Sequence, residues 1–191
     1  MARTRTITDE QILKAAQAIF LEKGFGASTL EIAKRAGVSE GSIFKRFNTK
    51  ENLFLIAMGV PTMPPWIPFL EAVVGQGDLK GNLKILASKV FEFFRENLPK
   101  MQMILSNQGL AQTLGQSDQS PPVRNLKALT QFFSQEVALG RMQTDNPRTL
   151  AMMFMGSMMQ YIFLKQMSAK LPEQEEYVNS MVEILWQSIR P

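Results

Sequence analysis

Cysteine and histidine are both absent from the 191 residues of this chain. That excludes disulfide scaffolds, thiolate nucleophiles, Cys/His zinc sites and every triad or dyad that needs imidazole. Paired-carboxylate chemistry would need two acids facing one gap. Glu92 and Glu96 lie one turn apart on a helix but read as a solvated face instead, so no catalytic residue, metal ligand or cofactor is expected. The chemistry that is concentrated is positive charge. Residues 1–50 hold nine bases, Arg3, Arg5, Lys14, Lys23, Lys34, Arg35, Lys45, Arg46 and Lys50, against five acids, Asp9, Glu10, Glu22, Glu31 and Glu40. The whole chain has 21 bases and 17 acids, so the remainder carries twelve of each, and the net charge of +4 lies in the first quarter. This is a small basic module on a neutral body, the asymmetry that phosphate recognition requires. Charge alone leaves open a basic face with no partner.

The elements that would position those bases are helical. Two short apolar-periodic segments are separated by Gly37-Val38-Ser39, the spacing of a helix-turn-helix. Ala33 is small where the helices would cross, Gly37 permits a left-handed turn residue, and Val38 plugs the angle between them. The second helix would project Glu40, Gly41, Ser42, Lys45 and Arg46, small residues that let the backbone approach DNA and bases that reach guanine or phosphate. Helix starts at Ser28-Thr29 and Thr49-Lys50 would each offer backbone N–H groups and a hydroxyl to phosphates.

Around this motif the apolar spacing is 3 and 4 almost throughout, with no strand alternation and no hairpin signal. Thr8 with Gln11, and Ser28 with Glu31, form capping boxes. Ser39 and Thr49 cap two further short helices. Residues 59–81 are rich in proline and glycine and predict a broken helix. A helix over 82–98 follows, with a second opened by Pro99 and reaching about Asn107, a loop over 108–120, and a helix from Pro121-Pro122 to about Leu139. Asn146-Pro147 starts a helix to about Ser168 that is apolar nearly all round and so must be covered on more than one side. A last amphipathic helix follows Pro172. The most apolar run, 151–164, is shorter than the ~20 residues a bilayer span needs. The polar N-terminus lacks a secretory h-region. No membrane partner is expected, and a cytoplasmic location is.

The stretch from Ile12 to Leu55 closely resembles the DNA-binding domain of TetR-type transcriptional regulators. Thr29, Ile32, Ala33, Ala36, Gly37, Val38, Ser39, Gly41, Phe44, Phe47, Lys50, Glu51 and Leu53 fit that family's pattern. The resemblance implies an all-α chain with an N-terminal three-helix helix-turn-helix module, placed at 1–50, and a C-terminal helical effector-binding and dimerisation domain, placed at 51–191. It implies phosphate contacts from Thr29, Arg46 and Lys50, and places Ser39, Gly41, Ser42 and Lys45 at the groove of a double-stranded operator. Phe44 stands where the family often has tyrosine. It cannot donate a hydroxyl to phosphate, and is assigned to packing on the sugar edge or in the motif core.

The expected product is a homodimeric repressor released from DNA by a small, apolar effector. The last two helices would form the subunit seam, with Met155, Met158, Ile162, Met181 and Leu185 at or near it. The aromatic and methionine-rich middle helices would line the pocket through Trp66, Phe69, Phe91, Phe94, Met101, Met103, Phe132 and Phe133. The alternative is an architectural or cell-cycle DNA-binding protein on the same fold with no effector; a filled core with no pocket would favour it.

Overall fold

The computed structural model describes residues 7–61, 63–116, 118, 120–168 and 170–191, so Arg3 and Arg5 lie outside it. Ten helices and no strand occur among the described residues, and the fold is all-α. The chain divides into two compact units, Met1–Thr62 with Lys100–Leu114, and Met63–Pro99 with Gly115–Pro191.

In the first unit the local signals act as expected. The Thr8 hydroxyl accepts the Gln11 N–H while the Gln11 side chain accepts the Thr8 N–H, which starts α1 (Asp9–Lys23). Ser28 and Glu31 start α2 (Thr29–Ala36) in the same reciprocal way, satisfying donors that a helix end leaves bare. Ser39 caps α3 (Glu40–Phe47) and Thr49 caps α4 (Lys50–Ala57). Ile12, Ile19 and Phe20 of α1, Ile32 and Ala33 of α2, Ile43 and Phe47 of α3, and Leu53 and Phe54 of α4 share one core with Ile104, Leu110 and Leu114. Phe54 stands edge-on to Phe20, 4.9 Å between ring centres, and to Phe25 at 5.3 Å. Ring edges then meet ring faces of opposite partial charge. Burying each large apolar side chain contributes about 1.5–3 kcal/mol.

The second unit is built on α5 (Trp66–Val73), most of α6 (Leu79–Leu105), α8 (Pro121–Ala138), α9 (Pro147–Gln166) and α10 (Gln174–Ile189), with α7 (Gln108–Gln116) lying between α6 and α8 in sequence. Two expectations are corrected here. The helices predicted over 82–98 and 99–107 are one helix, α6, which runs through position 99. A proline inside a helix costs about 3 kcal/mol or more through a lost hydrogen bond and crowding of the preceding turn, and burial of Phe94, Leu98 and Ile104 on either side offsets it. The loop predicted over 108–120 contains α7, which buries Leu110 and Leu114. Their spacing of four is helical, but Gln, Gly and Ser around them mask it.

A buried carboxylate fastens the turn after α5. Glu136 on α8 is fully buried. One of its oxygens accepts the Gly75 N–H at 2.8 Å, and the other lies 3.0 Å from Arg141 Nε. Arg141 also donates to the carbonyls of Gln76 and Gly77. Gly75 has φ +69, and a β-carbon on it would come within 3.0 Å of the Leu139 side chain, so glycine is required.

The all-round apolar α9 resolves into two faces. Leu150, Ala151, Phe154, Met158, Tyr161 and Ile162 are buried within the chain, with Phe133 of α8 edge-on to Phe154 at 6.0 Å. On the opposite face Met152, Met153 and Phe163 are exposed at 56%, 57% and 47%. On α10, Val178, Met181, Val182 and Leu185 face in while Ile184 is 69% exposed.

Candidate functional site

The helix-turn-helix is set by the junction of α2 and α3. Gly37 adopts the left-handed conformation (φ 73, ψ 32), and its N–H reaches the carbonyls of Ala33 and Lys34. The Val38 N–H returns to Ala33 O at 3.0 Å, which closes α2 and turns the chain. Ser39 then caps α3 through the Ser42 N–H, and its hydroxyl lies 2.9 Å from that of Ser42. Ile43 and Phe47 are buried, so the other side of α3 is presented to solvent.

That side carries Gly41, Phe44 and Lys45, one helical turn apart and all exposed. A β-carbon on Gly41 would meet nothing within 4 Å, so no intramolecular packing demands glycine there. Phe44 is 41% exposed. Of the two roles expected for it, packing in the motif core is ruled out, and its ring lies on the outward face. Ser42 is half-buried and Ser39 exposed.

The three residues expected at phosphates are differently engaged. Arg46 donates from Nη1 to the Ile7 carbonyl and to Asp9, each at 2.9 Å, tying the start of α1 to α3. The Thr29 hydroxyl, at the first residue of α2, donates to Glu40 at the first residue of α3. Lys50, at the start of α4, lies 4.6 Å over the Phe25 ring, a cation–π placement that holds the ammonium near the helix N-terminus.

Ion pairs sort the remaining bases. Lys14 pairs with Glu10, Lys23 with Glu31, and Arg35 with Glu22. Lys34 and Lys45, like Lys50, have no ion pair or hydrogen bond among the described residues, so these three cations of residues 7–50 are free to meet an anion. Lys34, at the end of α2, stood out in the sequence only as part of a charge count. Which bases are free depends on partners 8 and 13 residues away. The Lys23 contact, with help from the Ser28 N–H, holds the Glu31 carboxyl below its usual range. Lys14 does the same for Glu10, whose own effect raises the lysine.

The eight residues expected to line one pocket are not brought together. Trp66, Phe91, Phe94, Phe132 and Phe133 are at most 3% exposed and serve mainly as core of the second unit. Phe69 is half-buried beneath Lys89. Met101 and Met103 belong to the first unit, where Met103 packs on the core. Two clefts of the second unit retain members of the set. One of about 280 Å³ between α5 and α8 includes Phe132, and one of about 330 Å³ along α6, α9 and the start of α10 includes Phe91. Aromatic side chains at helical spacing fill interhelical space first, which is why composition alone overstates a cavity.

The residues expected at or near the seam are largely covered within the single chain. Met158, Ile162, Met181 and Leu185 are buried in the single chain at 0%, 5%, 8% and 9% exposure, and Met155 is half-buried. Met158 and Ile162 turn toward the chain's own core, whereas Met181 and Leu185 border an apolar groove with the exposed Met153 and Ile184. Among the described residues no helix is long and apolar enough to cross a membrane.

Residues 12–57 match the family model for the bacterial regulatory proteins of the tetR family. The HTH-type transcriptional repressor BepR of Brucella suis is 45% identical over 66 residues. That stretch is 34% of this chain and spans only about a third (32%) of the length of BepR. Two solved structures share the fold along nearly the whole chain. The flavonoid-responsive regulator FrrA superposes with a TM-score of 0.69 at 23% identity, covering 95% of this chain and 96% of that one. SmeT, the repressor of the Stenotrophomonas maltophilia multidrug efflux pump SmeDEF, gives 0.60 at 19%, covering 97% and 92%.

Proposed function

We propose that this chain, a TetR-type regulator with its helix-turn-helix segment at residues 12–57, is a homodimeric, sequence-specific transcriptional repressor that a small molecule releases from its operator. The observation that carries the DNA part is the outward face of α3. Gly41, Phe44 and Lys45 stand free on a helix whose other side is buried. Such a helix fits the major groove, which is wide enough to admit it. Gly41 lets the backbone close on the bases, Lys45 reaches a base edge or phosphate, and Phe44 lies against sugar or a thymine methyl. The starts of α2 and α4, behind the exposed caps Ser28 and Thr49, supply backbone N–H groups to phosphates on either side, with Lys50 beside the second. Thr29 reaches phosphate only by exchanging its present partner, Glu40, whereas Arg46 engages Ile7 and Asp9 through Nη1 alone and keeps its other guanidinium donors.

A second copy supports two half-sites, since such motifs read operators as symmetric pairs one helical turn or a multiple apart. The exposed stripe of Met152, Met153 and Phe163 with Ile184 supports the place of the seam. Met181 and Leu185 border that stripe in a groove shared with Met153 and Ile184, and Met155, Met158 and Ile162 lie behind it. FrrA is described as flavonoid-responsive, and the clefts of the second unit support a comparable dependence on a ligand here.

The test is selection of bound duplexes from a random pool, followed by fluorescence anisotropy on the enriched sequence. A palindromic site, bound by two copies with a log–log salt slope of about −0.9 per neutralised phosphate, is expected. No enrichment, or affinity unchanged by salt, overturns the DNA reading.

A further inference from the structure

The cleft of about 330 Å³ along α6, the end of α9 and the start of α10 has a distinct chemistry. Its floor is Phe91, Tyr161 and Ile162, and its charged lining is Arg95, Lys165 and Glu173. Phe91 and Tyr161 meet edge to face at 5.2 Å. The Tyr161 hydroxyl donates to the Pro172 carbonyl at 2.6 Å, so the phenol oxygen serves the α9–α10 connection and only the ring faces the cleft.

The cations above this floor are poorly neutralised. Arg95 is exposed and has no ion pair or hydrogen bond. Lys165 lies 3.7 Å from Glu173, whose side chain is 88% exposed. An exposed pair at that distance contributes little. One carboxylate therefore faces two cations, and an anion entering the cleft gains a guanidinium at once and competes for an ammonium that is loosely held. The volume is at the lower end of small-molecule sites.

We propose that this cleft binds a small amphipathic carboxylate, its apolar body on Phe91, Tyr161 and Ile162 and its head between Arg95 and Lys165. Resting on the effector reading above, this ligand is the effector. Its head takes the place of Glu173 at Lys165, beside the Tyr161–Pro172 hydrogen bond, where α9 passes into the connection to α10. The site lies on the side of α9 opposite the exposed Met152, Met153 and Phe163, so a second copy seated on that stripe leaves the cleft open.

Octanoate is the probe, titrated calorimetrically into the full-length protein without DNA. Saturable binding in the low-millimolar range or tighter is expected, as about ten non-hydrogen atoms support. Octan-1-ol, with the same tail and no charge, is expected to bind about tenfold or more weakly, and Arg95→Gln and Lys165→Gln each to lose about tenfold, the value of a charge-assisted contact. Glu173→Gln, which removes the competing carboxylate, is expected to tighten binding, an outcome that mere unfolding cannot give. No saturation by octanoate, equal affinity for octanol, or unaltered binding by both cation variants overturns the site. The anisotropy assay on the selected duplex separates the two readings. Duplex binding without octanoate binding discards the cleft and keeps the DNA reading, whereas octanoate binding with no release of duplex discards its role as effector.

Discussion

At the scale of single residues, Gly41 makes the sharpest separation between folding and function. Nothing lies within 4 Å of a β-carbon placed there, and the residue is inside a helix, where alanine is favoured over glycine by up to about 1 kcal/mol. Gly41→Ala is therefore expected to leave the melting temperature unchanged or raise it while weakening operator binding, measured by thermal denaturation and anisotropy on the same preparation. Equal operator affinity would mean that the backbone of α3 does not approach the bases. Lys45 and Lys50 divide differently. Lys50→Ala should weaken binding to selected and scrambled duplexes alike and flatten the salt slope by about one unit. Lys45→Ala should in addition reduce the ratio between the two, and equal losses on both duplexes would make it a phosphate contact only. The motif residues themselves were legible in the chain. Gly37 takes the left-handed turn that its position between two helices demands, and Ser28, Ser39 and Thr49 cap where they should. What could not be read was the occupation of Thr29 and Arg46 by Glu40 and Asp9, because those contacts join residues 11 and 37 positions apart and exist only once the helices have packed.

At the scale of elements, two fastenings give opposite kinds of prediction. Glu136 is buried and tied to Gly75 and Arg141, so removing one partner leaves a charge or a donor stranded. Arg141→Met is expected to cost about 3–5 kcal/mol, read from the shift of a urea midpoint at constant m-value. A loss under about 1 kcal/mol would show that Gly75 and the turn suffice to hold the carboxylate. The Lys23–Glu31 contact between α1 and α2 is exposed, so its contribution is small, but its pH dependence has a definite sign. Glu31 is held below its ordinary value by Lys23 and the Ser28 N–H. The native state therefore binds its proton less readily than the unfolded chain. This stabilisation is complete above about pH 4.3, the ordinary glutamate value, and is lost as the pH falls further. The stability difference between the wild type and Glu31→Gln should accordingly shrink below that pH and be constant above it. A difference that grows on acidification would assign the effect to another group. Helices with strong caps were recovered from the sequence, whereas α7 and the unbroken α6 were not. In those two, the deciding quantity is burial of Leu110, Leu114, Leu98 and Ile104 against partners far along the chain, and local propensity points the other way.

For the whole molecule, the all-α architecture and the basic first quarter followed from the periodicity and the placement of charge, while the division of α9 into an inner and an outer face did not. That division has a thermodynamic consequence. The inner face is satisfied by one chain, but Met152, Met153, Phe163 and Ile184 remain in water. If a second copy covers them, association and folding are linked, and each dimer that melts yields two separate chains. Mass action then makes stability a function of protein concentration. A tenfold dilution withdraws about 1.4 kcal/mol from the dimer, and the melting temperature should fall steadily with the logarithm of concentration. Ile184→Glu should abolish that dependence, leaving a folded monomer that melts at one temperature across the whole dilution series.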